Sequence, residues 1–204
     1  APGGKSLVLA SALGEGGTLV CNERSSARRS RLHRVLDDHL TSDRREQVRI
    51  TGHDASRWAL HEPASYDRVL ADVPCSSEQH VIRSAGALAE WSPSRTERLA
   101  RAAYAIACAA ADTLTAGGRM VYSTCALSQR ENDAVIDRLL KRSGAVLELL
   151  DPREILARAF AEYADYLASA SGSPPGGPTE RGWMILPDAD GGMGPMYIAV
   201  LDHE

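Results

Sequence analysis

Two cysteines stand out for what surrounds them. Asp72-Val73-Pro74-Cys75-Ser76-Ser77 and Ser123-Thr124-Cys125-Ala126-Leu127 each place a thiol just after a short apolar, β-prone run, Arg68-Val69-Leu70-Ala71 and Met120-Val121-Tyr122. Such runs, bounded by turn or helix signals, read as buried strands of a parallel sheet. Both thiols then sit just past the carboxyl ends of strands, where open α/β sheets place their ligands. Thiols so placed can form a disulfide, bind a metal, or add as thiolates to an electrophilic carbon. Four cysteines in 204 residues make no dense disulfide framework. Cys21, Cys75, Cys108 and Cys125 lack the close C-x-x-C pairing a metal wants, so no metal is expected. The ordinary role of a lone cysteine, a small buried hydrophobe, suits Cys21 and Cys108. For Cys75 and Cys125 the flanking residues favour covalent catalysis.

The elements that must position these thiols alternate along the chain. Ala1-Pro2-Gly3-Gly4-Lys5 reads as a glycine-rich turn running into a helix over 6–13. A strand follows over 18–23, then a helix capped by Ser25 or Ser26 with Leu32, Val35, Leu36 and Leu40 on one face. Strands are predicted over 47–51 and 66–71. Pro93 opens a long helix, 94–115, with Leu99, Ala102, Ala103, Ile106, Ala110 and Leu114 inward, and Gly117-Gly118 as its stop. A strand over 119–123, a helix over 128–142, a strand over 146–150 and a helix over 152–170 come next. The Gly/Pro/Ser-rich stretch 171–178 reads as a mobile loop. Two strands, 184–187 and 196–201, close the chain. The alternation argues an α/β fold, mostly parallel, with an antiparallel C-terminal edge. A single domain covering 1–204 is expected.

Apolar content of 44% and charged content of 25% are those of a globular protein. No apolar run approaches the roughly 18 residues of a membrane span, so no membrane partner is expected. A net charge of −4 argues against strong non-specific nucleic-acid binding by the whole chain. The 24–49 region is nonetheless rich in arginine: Arg24, Arg28, Arg29, Arg31, Arg34, Arg44, Arg45 and Arg49. A solvated helix face is the plain explanation of such a run.

Carboxylates recur at predicted strand ends: Glu23, Asp54 and Asp72. In a doubly wound sheet, an acid at such a position commonly holds a ribose hydroxyl pair. Three of them after a glycine-rich turn form a nucleoside-cofactor pattern, and the absence of G-x-G-x-x-G speaks against NAD. Gly4-Lys5-Ser6 also matches the end of a phosphate-binding loop, whose first glycine would precede Ala1. That reading leaves Pro74-Cys75 and Cys125 without a role. A turn of this kind normally follows a strand, which is expected before Ala1, and no targeting segment is visible.

Taken together, 1–6, 72–77 and 123–128 resemble motifs I, IV and VI of the Nop/Sun RNA cytosine-C5 methyltransferases. The resemblance spans essentially the whole chain. Cys75-Ser76-Ser77-Glu78-Gln79-His80 and Leu186-Pro187 with Gly194-Pro195-Met196-Tyr197 look most like the mitochondrial members. The resemblance implies a class I (Rossmann-like) methyltransferase fold that binds S-adenosylmethionine. Pro2, Gly3, Gly4 and Lys5 would line its methionine and ribose side and Glu23 the ribose hydroxyls. Arg28 matches a cofactor contact, Asp54 lies near the adenine, and Asp72 between cofactor and cytosine. Glu23 stands where the family usually has Asp. Cys125 would be the nucleophile that adds to cytosine C6, and Cys75 would assist release. DNA cytosine methyltransferases use the Pro-Cys thiol as nucleophile, so Thr124-Cys125 argues for RNA. A helix starting at Ser128 would lower the Cys125 pKa. The resemblance further implies ribosomal RNA as substrate, a mitochondrial location, an mTERF-type partner and a ribosomal assembly particle. The alternative is a catalytically silent assembly factor that keeps the fold for docking.

Overall fold

Short β-prone runs alternate with amphipathic stretches, and the computed structural model, described for residues 3–84, 86, 92–162, 175–189 and 192–204, folds them into strands and helices in turn. By internal contacts the chain divides into two compact units, Ala1–Trp58 and Ala59–Glu204.

The first unit comprises α1 (Gly4–Ser11), β1 (Leu19–Asn22), α2 (Ser26–His39), α3 (Ser42–Glu46) and β2 (Val48–Thr51). β1 and β2 pair in parallel, Leu19 opposite Val48. Ser25 caps α2, its Oγ accepting from the Arg28 N–H at 3.4 Å. The spacing of Leu32 and Leu36 turns one stripe of α2 inward, and these pack with Ala10, Cys21 and Val48 as the unit's core. Cys21 is thus the small buried hydrophobe its surroundings suggest, and burial pushes its pKa up.

The second unit holds β3 (Tyr66–Asp72), α4 (Glu78–Arg83), α5 (Pro93–Ala111), β4 (Leu114–Thr124), α6 (Asp133–Ser143), β5 (Leu147–Leu150), α7 (Pro152–Glu162), β6 (Gly177–Pro178), β7 (Trp183–Ile185) and β8 (Met196–His203). The sheet order is β3-β4-β8-β7-β6, with β5 also on β8. β3 and β4 are parallel, with Asp72 opposite Ser123. β8, inside the sheet, runs antiparallel to β4, β5 and β7, and β7 and β6 carry the antiparallel pairing out to the C-terminal edge. The core joins Ala103, Ala107 and Ala110 of α5 to Met120 and Tyr122 of β4, Ile136 and Leu139 of α6, and Tyr197, Ala199 and Leu201 of β8. Tyr122 and Tyr197, both fully buried, meet edge to face at 6.2 Å. No described helix is long and apolar enough to cross a membrane.

Four expectations need correction. α5 ends at Ala111, and its buried stripe is Ala100, Ala103, Ala107 and Ala110, with Ala102 turned to solvent. Alanines let the helix lie close to the sheet, while the bulkier Ile106 packs at the margin. Gly117-Gly118 do not stop that helix; they lie within β4, where the register to β3 shifts between Tyr66 and Arg68. Gly117 has φ +73, and a Cβ on Gly118 would meet the Thr115 carbonyl at 2.8 Å, so only glycines fit this irregularity. Third, the helix after Cys125 starts at Asp133 rather than Ser128. Finally, Gly177-Pro178 pair with β7 as a short strand, whereas a loop was expected there. Residues 171–174 of that predicted loop and the end of the predicted 152–170 helix lie outside the described residues.

Candidate active site

The parallel register of β3 and β4 decides the geometry of the second unit's strand ends. With Asp72 opposite Ser123, the segments that follow emerge side by side. Cys75 and Cys125, fifty positions apart, bring their sulfurs to 2.8 Å as free thiols. Ser77 joins them, its Oγ 3.3 Å from Cys125 Sγ and 3.6 Å from Cys75 Sγ. Asp72 is exposed at the end of β3, and the Ser123 hydroxyl donates to its Oδ1 at 3.4 Å.

The two thiols differ electrostatically. The hydrogen bond from Cys75 stabilises charge on Cys125 and lowers its pKa to about 6, against partial burial; Ser77 also lowers it, and Asp72 opposes. The same contact, with burial second, pushes Cys75 far up. At neutral pH the pair therefore carries one proton, on Cys75, and the more exposed Cys125 is the thiolate. A helix N-terminus at Ser128 plays no part, because residues 128–132 form turns instead.

Three consecutive buried residues, Glu131, Asn132 and Asp133, anchor the surroundings. Glu131 reaches the Cys75 segment: its Oε2 accepts the Ser76 N–H at 2.8 Å, and its Oε1 is bonded to the Ser76 hydroxyl. That hydroxyl also lies 2.5 Å from Glu78 Oε1, and Glu78 Oε2 accepts the Leu127 N–H at 3.0 Å. One hydroxyl proton cannot serve two carboxylates. Burial pushes the Glu131 pKa up, which favours its protonated form beside that shared hydroxyl. Asn132 fixes the Cys125 segment, accepting from Thr124 Oγ1 at 2.7 Å and donating to the Ala126 carbonyl at 3.0 Å. Asp133 Oδ1 accepts from Thr179 Oγ1, the Arg181 N–H and the Tyr197 hydroxyl at 2.8, 3.1 and 2.8 Å. The Tyr122 hydroxyl donates to the Glu131 carbonyl.

In the first unit, Gly3 caps α1 with φ +113, and no side chain caps that helix. The Leu13 carbonyl, just beyond α1, accepts from Arg44 ahead of β2, so the α1 N-terminus points toward the strands' carboxyl ends. There Glu23 Oε1 accepts the Ser25 N–H at 2.9 Å, and its Oε2 pairs with Arg28 Nε at 2.9 Å. Asp54 follows the adjacent strand; its Oδ1 accepts from the Ser56 N–H and hydroxyl, and its Oδ2 lies 3.3 Å from Arg24. Those Ser56 bonds hold its carboxyl below the usual range. Uncapped helix N–H groups, open space beside Gly4, and carboxylates with lone pairs to spare suit a ligand with its own carboxylate and a hydroxylated sugar. The residues present therefore fit S-adenosylmethionine. Gly3, Gly4, Lys5, Glu23, Arg28 and Asp54 fall in the first unit and Asp72, Cys75 and Cys125 in the second; Pro2 lies outside the described residues.

Residues 1–201 match the family model for 16S rRNA methyltransferase RsmB/F. The chain belongs to this family. Ribosomal RNA small subunit methyltransferase F of Erwinia tasmaniensis is 37% identical over 142 residues, 70% of this chain and 29% of the relative. The 5-cytosine rRNA methyltransferase NSUN4 of Bos taurus is 32% identical over 204 residues, 97% of this chain and 50% of the relative. The chain thus spans half or less of the length of these RsmB/F relatives. Among solved structures, PH0851 superposes with a TM-score of 0.75 at 21% identity, covering 98% of this chain and 40% of that one. NSun6 from Pyrococcus horikoshii with SFG superposes at 0.71 and 24% identity, covering 100% and 46%. The fold is accordingly the Rossmann-like fold of S-adenosylmethionine-dependent methyltransferases.

The sequence draws attention to both thiols and the strand-end acids but not to a role for Ser77 or the 131–133 segment. The available signal was a run of polar, charged residues, Glu131-Asn132-Asp133, opening directly onto an amphipathic helix. Residues of those types at a helix start ordinarily read as surface capping. Nothing local announces that all three are buried.

Proposed function

We propose that this chain is the catalytic domain of an RNA cytosine-C5 methyltransferase acting on ribosomal RNA. The observation that carries the reading is the pair of free thiols in contact, one exposed with its pKa lowered to about 6 and the other held protonated. Cytosine C5 is a poor nucleophile until a thiolate adds at C6. Cys125 Sγ forms that bond, which makes the ring enamine-like and C5 nucleophilic. S-adenosylmethionine, when bound, supplies an electrophilic methyl group. After C5 accepts it, a solvent water takes the C5 proton, the C5–C6 double bond re-forms as the C6–S bond breaks, and Cys125 returns as thiolate. Cys75 assists this release, and Asp72 binds the edge of the base, which must be unstacked to reach the thiols.

For the cofactor, Gly3, Gly4 and Lys5 serve the methionine and ribose side, with Pro2 preceding them. Glu23 takes the ribose hydroxyls, Arg28 steadies that carboxylate, and Asp54 serves the adenine. The glycine turn, the uncapped α1 and the acids at adjacent strand ends support this assignment. The resemblance to mitochondrial members carries a narrower reading: a mitochondrial ribosomal RNA, an mTERF-type protein partner and an assembling ribosomal particle.

The test is methyl transfer from S-adenosylmethionine to ribosomal RNA. Cys125→Ala should lose activity by on the order of 10⁴-fold or more, as expected when a nucleophile is removed. Cys75→Ala should accumulate a covalent protein–RNA adduct, visible as a slow-migrating band, because release and not attack is impaired. A folded Cys75→Ala chain with no adduct would refute the assigned roles. Ribosome assembly that proceeds normally with both cysteines replaced would favour the docking alternative.

A further inference from the structure

Ser77 occupies the N-cap of α4, a position where serine ordinarily turns its hydroxyl onto the helix N–H groups. It makes no such bond. Its backbone sits in the left-handed region, φ 54 and ψ 52, one of two non-glycine residues with positive φ in the described chain. A serine that both forgoes its cap and adopts an unfavourable conformation needs a compensating interaction, and such outliers concentrate at functional sites. Here the hydroxyl contacts both sulfurs, nearer Cys125 at 3.3 Å than Cys75 at 3.6 Å.

We propose that Ser77 is a further catalytic residue of the site, its hydroxyl donating to the Cys125 thiolate and setting the reactivity of the nucleophile. This deepens the methyltransferase reading and rests on it. A thiolate accepts such a bond more strongly than a thiol does, so the donor favours the charged form. The direction of the Cys125 shift is consistent with this, Ser77 being among its lowering causes. No proton changes owner: Ser77 keeps its own while Cys125 alternates between thiolate and thioether. Among the described residues, Cys75 and Asp72 act on Cys125 directly, while Glu131 and Tyr122 act on Cys75 and Glu78 on α4 holds the Leu127 N–H. None of them supplies a second hydroxyl in contact with Cys125.

The experiment is the pH profile of Cys125 alkylation by iodoacetamide on the full chain, read by peptide mass spectrometry without RNA or cofactor. Ser77→Gly removes the hydroxyl while suiting the left-handed backbone, and Ser77→Ala removes it without that relief. Both should move the midpoint upward from near 6 by about one pH unit. Below pH 6 they should alkylate about three- to tenfold more slowly, and above pH 8 about two- to threefold faster, since a more basic thiolate is the better nucleophile. General loosening of the site would not produce that crossing. Wild-type profiles in both variants overturn the proposal. A shifted profile in a chain that transfers no methyl group to RNA leaves Ser77's role standing and refutes the methyltransferase reading instead.

Discussion

In the second unit, the segments bearing Cys75 and Cys125 are held by Glu131 and Asn132, exposed by only 0% and 2%. In the first, Glu23 and Asp54 are held by Arg28 and Arg24, side chains that are 48% and 76% exposed. Buried polar bonds act in a low dielectric, and losing one partner strands the other, at about 1–3 kcal/mol per group. Exposed ion pairs are screened and contribute about 0–1 kcal/mol. The contrast teaches which geometry is set before a ligand arrives. Thiols proposed to engage one ring are pre-positioned by a network of buried bonds. Carboxylates proposed to grip a flexible cofactor are left free to adjust, at little expense in stability.

Removing a buried anchor should show the difference most sharply. Asn132→Ala leaves the Thr124 hydroxyl proton without its acceptor and the Ala126 carbonyl without its donor, and a loss of about 2–5 kcal/mol is expected in urea unfolding. Glu23→Ala should lose about 1 kcal/mol or less. Comparable losses from the two would break the comparison.

The next effect concerns ligand affinity. Glu23→Gln keeps the shape but loses the charge, and S-adenosylmethionine affinity by calorimetry should fall about tenfold, corresponding to about 1.4 kcal/mol, with the unfolding midpoint nearly unchanged. If melting and affinity fall together, the first unit is as tightly organised as the second.

A smaller effect lies in the pH dependence of Glu131. Because burial raises its pKa, the folded chain binds a proton there more tightly than the unfolded chain does. Stability from this group is therefore highest below the ordinary glutamate range and falls as pH rises through the raised value. Glu131→Gln should remove that slope, so urea midpoints followed from pH 4 to 8 should show the wild type losing ground to the variant. The opposite sign would mean that Glu131 is held as a carboxylate.

The smallest expected change is at Arg119 and Asp202, cross-strand partners on β4 and β8 joined at 2.6 and 2.8 Å. Arg119 lowers the Asp202 pKa, so this pair's contribution is present above the ordinary aspartate value and lost as pH falls through the lowered one. Asp202→Asn should cost about 0–1 kcal/mol at pH 7, with that difference vanishing in acid.

The alternation of strands and helices, the parallel orientation of β3 and β4 and the strand-end positions of Glu23, Asp54, Asp72, Cys75 and Cys125 were all legible in the sequence. The reason is that hydrophobic periodicity and the residues flanking each run are local properties. The start of α6 was not, because Ser128 looks like a cap while Glu131 and Asn132 are drawn into bonds with Ser76, Thr124 and Ala126. Gly117-Gly118 read as a helix stop, yet they serve a register shift that exists only once β4 lies against β3. The contact of the two sulfurs, the division of one proton between them, and the turning of Ser77 away from its helix belong to tertiary structure alone. Each depends on groups far apart along the chain, whose distances and burial arise only when the strands pair.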